Sequence, residues 1–519
     1  MAVPIEIRQI ERPKNTIVVD NGGNSVYRYA VRSRKTVKYI SNGNPQPING
    51  SVIGHIINNK YVSLDEGKNA FKNKSKKTIK TKVVHNTHDL KDTQTSEIQN
   101  QDANKVPYAS FGASALIRSV SDDIENDLIK SFGPDYGYRI FTIAALRVMK
   151  PEIPISRLAS AYSKCFMSAY VPGMKLSSTT LYKFFNMLGI SENQRIEFFE
   201  NRLKQVSKDH HIIIDGTLKQ NTSIVNDLSA FSYKARLRGA ADISVIYAYD
   251  LETLEPLCSQ VFPGNCIDST AYGEFIRTNR INKGIILSDK GFPPSKIEYE
   301  LNEHKNLHFL TPIKRSDSRI NNYQMLNFDS VVKGTEKRIL CKKSEIKGGR
   351  FLYSFKDSND ASHEEIAFIE RAKKNTLDKE QYQKKKDLFG VIVFESDLDL
   401  TLEDVYKIYG ERWKIEVLFR AYKNELNLDK TGFQGDFSII GSEFINFIAT
   451  TISKRVVKKA QASELLNEMT YKELFDDLSS AWRRTDASIF KPKRDDGNWV
   501  HTNIRVFDMM EKLGLINTP

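Results

Sequence analysis

The side chains best suited to chemistry are three carboxylates far apart in the chain, Asp215, Asp289 and Glu416. Asp215 follows the aliphatic run Ile212 to Ile214, and Asp289 follows Gly284 to Ser288. Runs this short and this apolar read as buried strands. Both acids would then stand at the carboxyl ends of neighbouring strands, where open α/β sheets keep their reactive groups. An Asp at a strand end is also a common turn former or helix cap, so the pair alone decides little. Glu416 lies in DVYKIYGERWKIEVLFRAYKNEL, where Tyr409, Arg412, Glu416 and Lys423 follow one another at intervals of three, four and seven. At about 100° per residue on a helix the four fall within an arc of roughly 60°. Trp413, Val417, Ile408, Ile415, Leu418, Phe419 and Tyr422 surround that stripe. A solvated pair of Arg412 with Glu416, worth about 0.2–0.5 kcal/mol, would not need so apolar a setting.

Three carboxylates brought together in a partly buried site repel one another and take up protons unless cations neutralise them. Oxygen ligands without His or Cys specify magnesium or manganese. Two such ions about 3.5–4 Å apart clamp an in-line displacement at phosphorus. Arg412 and Lys423 would hold the phosphate, Arg as a bidentate fork and Lys as a point charge. Lys290, beside Asp289, and Arg420, on the Glu416 helix, are further basic candidates at the same place.

Positioning these residues requires an α/β core, and the chain supplies the pattern for one. Residues 1–78 alternate β-rich runs (Thr16 to Val19, Ser25 to Val31, Thr36 to Ile40, Ser51 to Ile57) with Asn/Gly turns, as a small β-rich domain does. A basic and polar linker, 79–106, follows a Lys-rich stretch that carries seven lysines from Lys68 to Lys82. Residues 107–206 have helical spacing, and Ser191 with Gln194 resembles a capping box. Within them LSSTTLYKFFNMLGI has the look of part of a helix-turn-helix, although ordinary helix packing accounts for it as well. From residue 207 the order is strand, hairpin, helix, strand, up to 299. A β-rich stretch covers 300–388, a second core part with the Glu416 helix 389–455, and a helical C-terminal region 456–519 with helices expected at Tyr471 to Arg483 and Asn503 to Leu513.

Composition restricts the class of partner. The 519 residues carry 77 Lys and Arg against 64 Asp and Glu, a net charge of +13, which suits a polyanion. Four scattered cysteines, with no CxxC pair, argue against a structural zinc site and a disulfide framework and fit a reducing cytoplasm. The first residues hold no secretory pattern, and no apolar run approaches the roughly 20 residues a bilayer needs, so no membrane is expected.

The stripe Y409-GE-R412-WKI-E416-VLFRAY-K423 resembles the Tyr, Arg, Glu, Lys signature of prokaryotic insertion-sequence transposases of the insertion-sequence-four superfamily. The resemblance extends to IIIDGT around Asp215, FPGNCID, LSDKGF around Asp289 and the β-rich stretch before Glu416, over residues 207 to 455. It implies a ribonuclease H-like catalytic core, a mixed sheet with flanking helices interrupted by a β-rich insertion, behind N-terminal β-rich and helical domains. It also implies Asp215, Asp289 and Glu416 as ligands of two Mg2+ or Mn2+ ions, and Tyr409, Arg412 and Lys423 as contacts to the transposon end. The helical region 107–206 would bind that end. The partners implied are double-stranded DNA, as terminal inverted repeats and as target, and a second copy of the chain in a synaptic homodimer. The setting implied is a prokaryotic cytoplasm, at the nucleoid. Some relatives hold a flipped base with a Trp in the insertion; no Trp lies between residues 300 and 400 here, which leaves Phe351, Tyr353 or Phe355 for stacking and a hairpin intermediate open.

Rival readings are a nuclease or Holliday-junction enzyme of the same fold, a domesticated element, and a DNA-binding protein without catalysis. A binding module has no use for three clustered carboxylates that repel phosphate. The run IIIDGTL also resembles the nucleophile loop of haloacid-dehalogenase-like phosphatases, but Ile213 stands where that chemistry needs an Asp.

Overall fold

The computed structural model describes residues 3–13, 16–20, 29–39, 45–57, 60–63, 108–223, 225–232, 240–266, 268–287, 295, 297–372, 379–411, 426–488 and 492–517. The chain divides into two compact units, Met1–Ala103 and Asn104–Pro519.

The first unit is an antiparallel sheet of β1 (Thr16–Asp20), β2 (Tyr29–Tyr39), β3 (Pro45–Ile57) and β4 (Lys60–Ser63), in that order. Val3, Val18, Val31 and Ile56 form its core. The runs read from sequence as two strands, Ser25 to Val31 and Thr36 to Ile40, belong to one over their described residues: β2 continues from Tyr29 to Tyr39. Its pairing with β3 shifts register between Val31 and Thr36. Such irregularities move side chains off strict alternation and so disguise continuity in the sequence.

In the second unit β5 (Tyr108–Ser110) leads into helices, among them Asp122–Phe132, Pro134–Met149, Ser178–Ile190 and Glu192–Leu203. The expected capping box at Ser191 is not formed: Ser191 is the N-cap residue, but its hydroxyl donates to the carbonyl of Met187 at 3.0 Å. A capping box does open the helix Tyr471–Ser479, where Thr470 and Glu473 bond reciprocally.

The central sheet begins with β6 (His211–Asn221), β7 (Ala241–Asp250) and β8 (Pro256–Pro263), two successive antiparallel pairings. β9 (Lys283–Leu287) returns parallel to β6 on its other side, and β10 (Asn306–Pro312) lies parallel to β9. The β-rich stretch adds β11 (Ser330–Val331), β12 (Ile339–Ile346) and β13 (Arg350–Asp357), and β14 (Val391–Ser396) bridges β13 to β10. With β15 (Lys430–Thr431) beside β6, ten strands form one sheet ordered β11-β12-β13-β14-β10-β9-β6-β7-β8. The strands of the β-rich stretch therefore extend the central sheet rather than forming a separate layer.

The helix Asp436–Ala462 packs against the sheet and the preceding helices. It is buried along most of its length, and Phe444 and Phe447 meet Phe198 and Phe199 edge to face at 5.1–6.5 Å. Close approach to the helix Ser178–Ile190 requires glycine on both: a Cβ on Gly189 would strike the carbonyl of Phe437, and one on Gly441 that of Phe185. Lys219 of β6 and Glu443 of the helix are both buried and paired, Nζ to Oε1 at 2.6 Å, and Asn446 also donates to Glu443 at 3.0 Å. The C-terminal region is not wholly helical. The helix expected over Tyr471 to Arg483 stops at Ser479, and β16 (Trp482–Arg484) then pairs with β5 and with β17 (Trp499–Val500).

Candidate active site

Asp215 sits within β6, opposite Tyr247 of β7, and is half-buried just beyond the buried Ile212, Ile213 and Ile214. Its Oδ1 accepts the backbone N–H of Gly216 at 2.8 Å. Beneath it Tyr249 is stacked on Tyr247 with centroids 5.6 Å apart, and Tyr247 on Phe447 at 6.0 Å. Burial, and then the charge of Asp215, push the Tyr249 phenol above its ordinary pKa. Asp215 is thus a carboxylate on the rim of a buried aromatic layer.

Parallel pairing of β6 with β9 sets Ile213 beside Leu287, the last residue of β9. Asp215 is two residues beyond Ile213 in sequence, and Asp289 two beyond Leu287. Asp289 and Lys290 themselves lie outside the described residues.

The first part of the expected catalytic helix is the helix Leu402–Glu411, which rests on β12 and β13. Val405 is fully buried, and Tyr406 meets Phe355 at 5.6 Å. Tyr409 is half-buried, its ring edge-on to Phe394 at 4.6 Å, so at least one side of that ring serves packing. Arg412, Glu416, Arg420 and Lys423 fall in 412–425, outside the described residues. Of the expected site, Asp215 and Tyr409 have described positions.

The opposite edge of the same strands holds polar groups that sequence reasoning did not single out. A cavity of about 620 Å3 is bounded there by His211 at the start of β6, Ile285 midway along β9 and His308 near the start of β10, and by Asp404, Lys407 and Glu411 of the helix. Beside it, possible metal-ligating atoms of His210, Asp250 and Glu252 lie within 4.8 Å of one another. Those atoms are largely committed: His210 Nδ1 meets Asp250 Oδ2 at 2.7 Å, and Glu252 takes both the backbone N–H and Nδ1 of His211, at 2.9 and 2.6 Å. The adjacent His210 and His211 before a strand, with Asp250 and Glu252 at the end of its partner, were the available signal. Asp215 is four positions on from His211, about 13 Å along a strand. The cavity and this group therefore lie at the amino ends of the parallel strands, away from the carboxyl ends where such sheets carry out chemistry.

Residues 207–438 match the family described as "Transposase DDE domain". The matched region, just under half of the chain, runs from the lead into β6 to the start of the helix Asp436–Ala462 and includes Asp215, Asp289, Tyr409 and Glu416. The match supports a DDE transposase. No curated protein matches the chain by sequence. Among solved structures, a chain of the "piggyBac transposase synaptic complex with hairpin DNA" aligns over 72% of this chain and 80% of its own, with 12% identity and a TM-score of 0.39.

Within the matched region, the three aromatic residues expected to stand in for a base-stacking Trp are not equivalent. Tyr353 and Phe355 are in the core, and the Tyr353 hydroxyl donates to the carbonyl of Leu398 at 2.7 Å and accepts the N–H of Leu400 at 2.8 Å. Neither ring can meet a base without leaving that core. Phe351 is half-buried, with the Lys343 ammonium 5.1 Å from its centroid. Among the described residues no helix is long and apolar enough to cross a membrane.

Proposed function

We propose that this chain is a DNA transposase that cleaves at transposon ends and joins them to target DNA, with Asp215, Asp289 and Glu416 as its acidic triad. The family match over 207–438 carries the reading. The β6–β9 register supports it, because two acids each two residues past a paired position can share one edge of a sheet. The order β8-β7-β6-β9-β10, with β7 alone antiparallel to the rest, supports a ribonuclease H-like core, and the strands from 330 to 357 a β-rich insertion joined to it.

The triad would hold two Mg2+ or Mn2+ ions, and Asp215 fits the role as a hard oxygen donor at the rim of an apolar layer. When bound, the ions supply Lewis acidity for displacement at phosphorus. Arg412 and Lys423 would grip the phosphates beside the scissile bond, with Lys290 and Arg420 adding positive charge. Tyr409 would offer its hydroxyl to the transposon end while its ring stays against Phe394. Cut-and-paste transfer would take place in a homodimer holding two ends, in a prokaryotic cytoplasm at the nucleoid. If a hairpin forms during donor cleavage, Phe351 is the one of Phe351, Tyr353 and Phe355 that could stack on a flipped base.

The test is a metal-dependent nicking and strand-transfer assay on DNA carrying the element's terminal inverted repeats. Asp215→Asn and Glu416→Gln should each abolish cleavage while leaving end binding in place. Lys423→Ala should weaken end binding or cleavage without lowering the melting temperature. Cleavage that survives Glu416→Gln, or that proceeds unchanged in chelator, removes Glu416 from the ligand set. Cleavage without strand transfer points instead to a nuclease of the same fold.

A further inference from the structure

Between Glu152 and Glu192 the chain has no acidic residue, while Arg157, Lys164, Lys175 and Lys183 fall in that interval. At the chain's average acid content a stretch of this length would carry about five, so the local charge is one-sided. All four basic side chains are exposed.

The helix Ser178–Ile190 lies within this interval, preceded by the helices Leu158–Lys164 and Met167–Tyr170. Ser177 caps it, accepting the N–H of Thr180 at 3.4 Å. Leu181, Phe184, Phe185 and Leu188 form its buried face, toward the helix Asp436–Ala462. Thr179, Tyr182, Lys183 and Asn186 project on the other side, within an arc of about 100°. Thr179 and Lys183 are exposed and Tyr182 is 50% exposed, its ring edge to face with Phe433 at a centroid distance of 5.6 Å. Thr, Tyr, Lys and Asn are side chains that bond to phosphates and base edges, and Asn can bond adenine bidentately. Thirteen residues make a rod about 20 Å long, and the major groove, roughly 12 Å wide, admits a helix presented this way.

We propose that the Thr179–Tyr182–Lys183–Asn186 face of this helix reads a DNA duplex in its major groove. The inference rests on the transposase reading and deepens it, naming which element discriminates the transposon end. Lys183 contacts phosphate, and Thr179 and Asn186 contact base edges. Tyr182, fixed by Phe433, sets the height of the helix in the groove. Lys164 and Lys175, on the segments before the helix, add flanking phosphate contacts.

The experiment is selection by the full chain, in chelator, from a random-sequence duplex pool, followed by affinity measurement on the selected duplex across a salt series. Wild type should enrich a sequence motif. Lys183→Ala should keep the motif, bind all duplexes more weakly and lower the slope of log affinity against log salt by about one. Asn186→Ala and Thr179→Ala should keep that slope and lose roughly 5- to 100-fold discrimination at one or two base pairs. Unchanged melting temperatures establish that these exposed substitutions leave the fold intact; Tyr182→Ala, which also removes a packing contact, is therefore not used. If wild type selects a motif and all three variants select it with equal affinity and slope, the reading face lies elsewhere and this proposal is wrong while the transposase reading stands. If wild type neither binds duplex DNA nor selects a motif, both fail.

Discussion

Replacing Lys219 by Met while leaving Glu443 in place removes the ammonium partner of a carboxylate that is 1% exposed. Glu443 keeps the amide of Asn446 at 3.0 Å, but the 2.6 Å bond from the ammonium is lost. Breaking a buried pair from one side costs about 3–5 kcal/mol. At roughly 2–4 °C per kcal/mol for large domains, the melting temperature should fall by at least about 6 °C. Removing both charges should behave differently. Burial pulls the Lys219 pKa below its ordinary value even with Glu443 beside it, so the ammonium is less comfortable here than in water. The double variant Lys219→Met/Glu443→Leu should therefore recover most of the loss, short of about 1 kcal/mol for the hydrogen bond that Asn446 no longer makes. The assay is thermal unfolding of wild type, both single variants and the double variant, read as a double-mutant cycle. Equal, additive losses in the singles and the double would refute the argument, because they would mean that the two groups act through packing and not as a charge pair.

Gly189→Ala should destabilise by about 1–3 kcal/mol, since its Cβ collides with the Phe437 carbonyl and drives the two long helices apart; a melting temperature equal to wild type would show that the contact can open without cost. Tyr353→Phe should cost about 0.5–1.5 kcal/mol, because the hydroxyl's two bonds are lost while the Leu400 N–H keeps the Leu398 carbonyl at 3.2 Å, measurable by denaturant unfolding. Asp496 is held below the usual carboxylate range: burial works to raise it, and hydrogen bonds from buried Arg483, at 2.6 and 2.9 Å, outweigh that. A depressed carboxylate stabilises the fold above its unfolded pKa of about 3.9 and loses that contribution as pH falls through its folded value. The gap in melting temperature between wild type and Asp496→Asn should be constant from pH 5 to 7 and shrink below about pH 4; a gap that widens in acid would reverse the sign assigned here.

Much of the architecture was legible because short aliphatic runs and helical periodicity are local signals. The strand before Asp289, the hairpin of β7 and β8 and the amphipathic helix at Asp268–Thr278 appear within a few residues of where the pattern puts them, but the strand expected to end at Asp215 runs on to Asn221, because β7 pairs with it along its whole length. Errors arose where a local pattern met a tertiary constraint. β2 was split because its register shifts interrupt alternation. Ser191 turned its hydroxyl back to Met187 rather than capping forward. The segment around Arg483 became a strand because β5, more than 370 residues earlier, offers it an edge.

For the site the division is similar. The sequence by itself determined which residues are candidates for the chemistry: the Tyr409, Arg412, Glu416 and Lys423 spacing and the two acids after aliphatic runs, Asp215 and Asp289, are properties of residue type and interval. Tertiary structure decided adjacency and availability. Only strand pairing sets Ile213 beside Leu287, and only packing shows that Tyr353 and Phe355 are buried while Phe351 keeps some exposure. The reason is physical. Helical and strand periodicities act over a few residues and are written locally, whereas burial and partner choice depend on which distant segment excludes water from a side chain, and no local interval records that.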